Sequence, residues 1–470
     1  MHLSANRYAV RSRGADERAN LHSLISPAVM WLKRILETDA LPLEKMTWGQ
    51  RYRLRHTCRT SLVLWAVVSL FAAVVAAPGV RWLDYQTGWV LFGFSPDGAR
   101  AVLGVLVGSM LSFIVFVLSA TLIVVQLASG QSSPRVIAMV LATPWVKVPL
   151  ALLTFTYTFS LTALGRVEDR VPHLLVGTAV LFNLISLVVF FQFVHHLSTG
   201  LRPGALIQLV AERARHVIAD VYPVPYRSNP NAPKSGVRPT TPSQVVEYAG
   251  EPGVVMAFSA AELVRIAADG GAVVDMVPQV GNFIAAGDPL FRVFGDIRPI
   301  AGDQLRGCVA VGPERTIDQD PRFVFRILVD IASKALSPAI NDPTTAVLAL
   351  DQIEHLLLVV GRRDLDKGQV SDREGRLRLR YHTPDWSDFV MLAVSEVRQF
   401  GAGSIQVGRR LRAMLEHLSE VLPESRRQPL DQELALLCST INRSFDEEED
   451  RRRANIPDFQ GMGGSGYENR

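Results

Sequence analysis

The densest run of side chains able to do chemistry is residues 312–345, GPERTIDQDPRFVFRILVDIASKALSPAINDPTT. Around an apolar stretch it places Arg315, Asp318, Asp320, Arg326, Asp330, Lys334, Ser337, Asn341, Asp342, Thr344 and Thr345. Two chemistries fit these types. A helix restarting at Asp342-Pro343 turns free backbone N–H groups toward an anion. Alternatively, the carboxylates offer hard oxygen ligands to a cation. Local structural roles compete with both. Asp is a good N-cap and Pro suits the first helical position, so Asp342 reads as a cap. Arg326, Asp330 and Lys334 stand at i,i+4 and form a charge ladder. Caps and ladders are the commoner fate of such residues.

A second polar set ends an apolar run. Gln126, Ser129, Gln131 and Ser132 follow it, and Pro134 and Arg135 close it, which makes them candidates for a constriction at a membrane mouth. His195 and His196 close another apolar run. Adjacent helical residues point about 100° apart, so the pair suits an interfacial anchor better than a shared metal site.

Catalytic signatures are missing. The sequence has no GxxxxGK[ST], no HExxH and no GxSxG. Residues 401–408, GAGSIQVG, lack dinucleotide spacing and follow a helical pattern. Cys58, Cys308 and Cys438 are far apart and suggest neither a disulfide framework nor zinc. The stretch GNFIAAGDPL (281–290) resembles the hairpin of biotinyl and lipoyl domains. No lysine lies between Lys234 and Lys334 to carry such a group. The expectation is therefore no catalytic residue, no cofactor, no metal and no enzyme.

The elements that position these residues begin in a membrane. Residues 101–128 carry no charge, and a bilayer core needs about 20 apolar helical residues. Four such runs appear, near 61–80, 101–128, 148–164 and 171–194. None contains Asp or Glu, which argues against a proton-coupled transporter. Asn183 and Gln192 read as helix–helix hydrogen bonders. Residues 1–60 carry a net charge of +6, residues 61–194 of +2 and residues 195–470 of −4. The basic N-terminus predicts a cytosolic start, and an even span count returns the C-terminus to the cytosol. Basic charge beside a membrane suits anionic headgroups rather than nucleic acid.

Past the spans the pattern predicts an exit helix (199–223) and a proline-rich linker reaching 243. Paired strands VVEYA and GVVMAF should follow, then a short helix and two more strands to about 295. Beyond 300 the pattern is mainly helical, with a strand or a turn at LRGCVAVG (305–312) and one strand at LRLRY, and the charged, glycine-rich end reads as disordered. The expected fold is membrane α-helical, with four transmembrane helices, plus a cytosolic α+β domain: a small β unit followed by a mainly helical part. The predicted divisions are 1–60 basic segment, 61–197 transmembrane domain, 198–243 exit helix and linker, 244–300 β unit, 301–446 helical domain and 447–470 tail.

Two blocks, SFIVFVLSATLIVVQLASGQSSPRVI (112–137) and RTIDQDPRFVFRILVDIASKALSPAINDPTTAVLALDQ (315–352), carry a family resemblance. FVHHLSTG (193–200) and RQFGAGSIQVGRRL (398–411) extend it. On these the chain resembles the bacterial predicted integral-membrane proteins grouped as domain of unknown function 2254. The resemblance implies a four-span membrane part with a cytosolic C-terminal domain and supplies no activity, cofactor or catalytic residue. Three function classes follow. First is a non-catalytic scaffold or sensor in the cytoplasmic (inner) membrane, with a cytosolic ligand- or partner-binding domain. Second is a channel-like protein using the polar end of the second span. Third is a membrane-bound enzyme using residues 315–345. Expected partners are a bilayer with anionic headgroups and, in a homo-oligomer, further copies of the chain.

Overall fold

The computed structural model describes residues 46–90, 93–131, 139, 143–168, 171–200, 202–226, 241–295, 300–365 and 368–463. Most of the proline-rich linker and the final glycine-rich residues lie outside these. The first element, α1 (Trp48–Thr60), starts in a capping box: Thr47 accepts from the Gln50 amide while the Gln50 side chain accepts from the Thr47 amide. Ser61 breaks the helix in extended backbone and caps α2 (Leu62–Thr87), which Gly88 ends at a φ of 60°. Next come α3 (Pro96–Gln131), α4 (Pro144–Leu164) and α5 (His173–Gly200). α4 packs against α2, α3 and α5.

Small residues line these contacts. Ala73, Ala77, Ala99, Ala163 and Ala179 are buried beside Leu103, Phe159 and Leu175, the close approach expected where packing rather than water drives association. Thr156 Oγ1 and Ser186 Oγ are 2.8 Å apart, and Asn183 Nδ2 donates to Ser160 Oγ at 2.9 Å. Asn183 thus bonds across helices, whereas Gln192 is exposed. Phe71, Val75, Trp82, Val105, Leu122, Val188 and Phe191 point outward. Lipid, not water, covers an apolar surface of that extent.

Among the described residues five helices are long and apolar enough to cross a membrane by length and composition, the fifth being α10 (Pro343–Gly361). Its apolar window is 56% buried, against 11–44% in the other four. It packs with α6 (Pro203–Val221), α9 (Pro321–Ala335), α11 (Trp386–Phe400), α12 (Ile405–Val421) and α13 (Arg427–Ser444) around one apolar core. α6 buries Leu206, Ile207, Val210, Ala214, Val217 and Ile218 along one face, the stripe of an amphipathic helix.

Among the described residues eight strands form two sheets: β1 (Gln244–Glu247), β2 (Gly253–Phe258), β3 (Val273–Met276), β4 (Phe283–Ile284), β5 (Pro289–Phe294), β6 (Val309–Gly312), β7 (Gln369–Ser371) and β8 (Leu377–Arg380). The orders are β1-β5-β3-β8-β7 and β4-β2-β6. All pairs are antiparallel except β3 with β8. α7 (Ala260–Asp269) and the short α8 (Gly302–Arg306) join them.

Three expectations are corrected. β1 does not pair with β2, because Tyr248 N donates to Asp288 O and holds the end of β1 to β5 while the chain crosses to the other sheet. The β unit drawn at 244–300 is too short: β6 from the 305–312 stretch, β7, and β8 from the expected strand at LRLRY join its sheets. The charged end is not disordered throughout. Glu448–Ala454 forms α14 with Ala454 buried, and the Asp458 carboxylate accepts from the amides of Gln460, Gly461 and Gly463. Gln406 Nε2 then donates to Gly461 O at 2.6 Å, tying this end to α12.

Candidate functional site

The loop between β6 and α9 is where the membrane-linked helices, the sheets and the helical core meet. α1 reaches it by docking on β6. Gly49 N donates to Gly307 O at 2.8 Å, and a Cβ at Gly49 would stand 2.3 Å from Val309 O, so only glycine permits this approach. One turn on, Tyr52 stacks between Trp48 and His56, with ring centroids 5.4 and 6.3 Å apart. The i,i+4 spacing puts all three rings on one helix face.

That face meets Asp318. The Tyr52 hydroxyl donates to Asp318 Oδ2 at 2.8 Å. Arg213 Nη2, from α6, donates to Oδ1 at 3.0 Å. His56 Nδ1 stands 3.9 Å from Oδ2, an ion-pair rather than a hydrogen-bond distance. His56, Tyr52 and Arg213 hold the Asp318 carboxyl well below the usual carboxylate range, against the burial that opposes them. Burial and the facing carboxylate push the Tyr52 hydroxyl up. One carboxylate therefore ties α1, the helix before the long apolar α2, to α6, the helix that follows α5.

The neighbouring residues fix the loop. Thr316 Oγ1 donates to Met256 O at 3.3 Å. Gln319 pairs with the Phe258 backbone in both directions, at 3.0 and 3.1 Å. Asp320 is 4% exposed and caps α9, accepting from Phe323 N at 3.1 Å and from Arg315 Nε at 3.0 Å. Burial raises its carboxyl despite those donors. The Arg315 guanidinium lies across Gly281, whose φ is +92° and where any Cβ would overlap it. Two cavities flank the loop. One, of about 300 Å³, is lined by Tyr222, Phe258, Gln279, Arg322 and Tyr381. The other, of about 520 Å³, lies between α1, α4 and α6. Among the described residues no three of His, Cys, Asp and Glu gather as a metal site would require.

A family model described as a predicted membrane protein, DUF2254, matches residues 59–417. The chain belongs to that family. It is 28% identical over 379 residues to proteins of Mycobacterium bovis and Mycobacterium tuberculosis that are named only as uncharacterized; the match covers 77% of this chain and 72% of each relative. No solved structure matches.

The rest of the 315–345 block of this DUF2254 protein is not part of the joint. Asp330 accepts from Arg326 at 2.5 Å, and Arg326 also reaches Glu396 on α11, with Nη2–Oε2 2.7 Å. Ser337 Oγ donates to Lys334 O at 2.7 Å. Asn341 takes a φ of 48° and lets the chain turn into α10. Asp342 caps that helix, accepting from Thr345 N at 3.0 Å and from Thr345 Oγ1 at 2.6 Å. Thr344 is exposed.

Of the residues expected at a membrane mouth, Gln126 is exposed near the end of α3. Ser129 and Gln131 fall in its last turns, and Ser132 and Arg135 lie outside the described residues. His196 stacks on Trp145 with centroids 3.9 Å apart, while His195 is exposed. Sequence reasoning missed Tyr52, His56 and Arg213. The signal available was the Trp48-Tyr52-His56 repeat, an aromatic face on an otherwise arginine-rich helix.

Proposed function

We propose that this DUF2254 protein is a non-catalytic scaffold or sensor of the cytoplasmic membrane, in which the Asp318 joint couples the spans to a cytosolic α+β domain. The observation carrying this reading is that Asp318 holds α1 and α6 at once. Movement between the spans and the sheets must load those two contacts. The reading takes α2, α3, α4 and α5 as four spans and α10 as a core helix, supported by the burial of α10 among α6, α9 and α12. Arg51, Arg53, Arg55 and Arg59 directly before α2 support a cytosolic N-terminus. Anionic headgroups and further copies of the chain are the partners it expects. In the 315–345 block, Asp318, Asp320, Asp330 and Asp342 are engaged in caps and ion pairs, which weighs against the enzyme reading.

A second reading, permeation, draws on Gln126, exposed where α3 leaves the apolar region. Ion and small-solute flux through liposomes holding the purified chain separates the two. The scaffold reading expects flux no greater than in empty vesicles. A conductance that changes when Gln126 is replaced by leucine would replace it with the channel reading.

A further inference from the structure

The larger cavity at the joint opens where two spans begin. Thr60 and Thr143-Pro144 line it, and α2 and α4 start at Leu62 and Pro144. Its charged residues are Arg53, His56, Arg59, Arg213 and Arg315 against Glu314 and Asp318. Two of these arginines are engaged, Arg213 with Asp318 and Arg315 with Asp320. Arg53 and Arg59 are exposed and make no ion pair among the described residues. Lys147 Nζ donates to the Arg59 carbonyl and fixes the end of α1 against α4. Deeper in, the lining is apolar: Met256, Phe323 and Ile327 are buried, with Leu209 beside them.

An exposed cationic rim over an apolar floor, at the level where helices enter lipid, suits an amphiphilic anion. We propose that this cavity binds one anionic phospholipid, its phosphate between Arg53 and Arg59 and the start of its acyl chains against Leu209, Phe323 and Ile327. Both attractions have known scale: basic side chains draw anionic headgroups, and buried methylenes add apolar transfer energy. A zwitterionic headgroup would bring its own ammonium to the same arginines and lose most of the first. The lipid would sit against Asp318 and report the leaflet to the joint, so the inference rests on the sensor reading and names its ligand.

Native mass spectrometry of the full chain in detergent, with phosphatidylglycerol or phosphatidylcholine added, tests it. The expected result is one phosphatidylglycerol retained per chain and little phosphatidylcholine. Arg53→Gln/Arg59→Gln should weaken retention roughly thirtyfold. Arg53→Lys/Arg59→Lys should keep most of it, and Arg55→Gln, on the same helix but outside the cavity, should keep all of it. If the double variant does not fold, each single glutamine variant should lose about fivefold. Equal retention of the two lipids, or unchanged retention in the folded glutamine variants, overturns the proposal. So does displacement of the lipid by equimolar glycerol 1-phosphate, which would make the site one for a soluble phosphate. Flux through the liposomes would sink the scaffold reading while leaving lipid selectivity standing, so the two can fail separately.

Discussion

Asp318 and Asp320 stand two residues apart, and their surroundings push their carboxyls in opposite directions. Asp318 is depressed by His56, Tyr52 and Arg213. Its contribution to stability is complete above the unfolded value of about 4 and is lost as pH falls toward its folded value. Asp320 is raised by burial. The native state keeps its proton to higher pH than the unfolded chain, so its contribution falls as pH rises from about 4 through the folded value. Asp318→Asn should therefore cost about 1.5–3 kcal/mol at pH 7, the worth of hydrogen bonds to a charged group, and should flatten the acid limb of the melting curve. Thermal melts of the full chain between pH 7 and 4 check both, and a variant as stable as wild type at pH 7 would show that Asp318 holds nothing. Asp342 is a different case. Asp342→Ser should be nearly silent and Asp342→Ala should cost about 1 kcal/mol; equal losses in the same melts would give the carboxylate a role beyond its cap. Asp342 was legible in the sequence because a cap acts on its own next turn. The role of Asp318 was not, because Arg213 and Tyr52 lie 105 and 266 residues away.

At the scale of elements, helices were readable and strand partners were not. The stripes of α6, α9 and α12 follow from local spacing, and α9 and α10 begin at Asp-Pro pairs that announce themselves. β3, β5 and β8 were visible as apolar runs, but the parallel pairing of Val274 with Leu379 depends on contacts that no local pattern encodes. Docking of α1 was equally hidden, since its hydrogen bond to Gly307 uses backbone atoms and its fit depends on a missing side chain. Gly49→Ala distinguishes docking from a free helix. On helix propensity alone alanine should gain about 1 kcal/mol. Against β6 its Cβ would meet Val309 O, so the variant should instead lose stability and speed amide exchange through residues 48–56. Hydrogen-exchange mass spectrometry reads this directly, and slower exchange in the variant would mean that α1 does not rest on the sheet.

For the whole molecule the parity of membrane crossings sets the topology. Composition announced a membrane protein, and the family agrees, but apolar length alone counts α10 with the spans. Four crossings put residues 46 and 463 on one side; five put them on opposite sides. Burial favours four, because α10 keeps its apolar face against α6, α9 and α12 and Asp351 and Glu354 on it meet Arg410 of α12. A spanning helix would have to bring those charges into lipid at several kcal/mol. Thiol labelling decides it. In a chain with Cys58, Cys308 and Cys438 replaced by alanine, single cysteines are placed at Asp97, beside the start of α3, and at Ser439, exposed on α13. With an impermeant reagent on intact cells, Asp97→Cys should label and Ser439→Cys should label only after lysis. Labelling of both positions from outside would make α10 a fifth crossing. Labelling of Ser439→Cys alone would keep four spans and reverse the orientation, placing the Asp318 joint on the outer face.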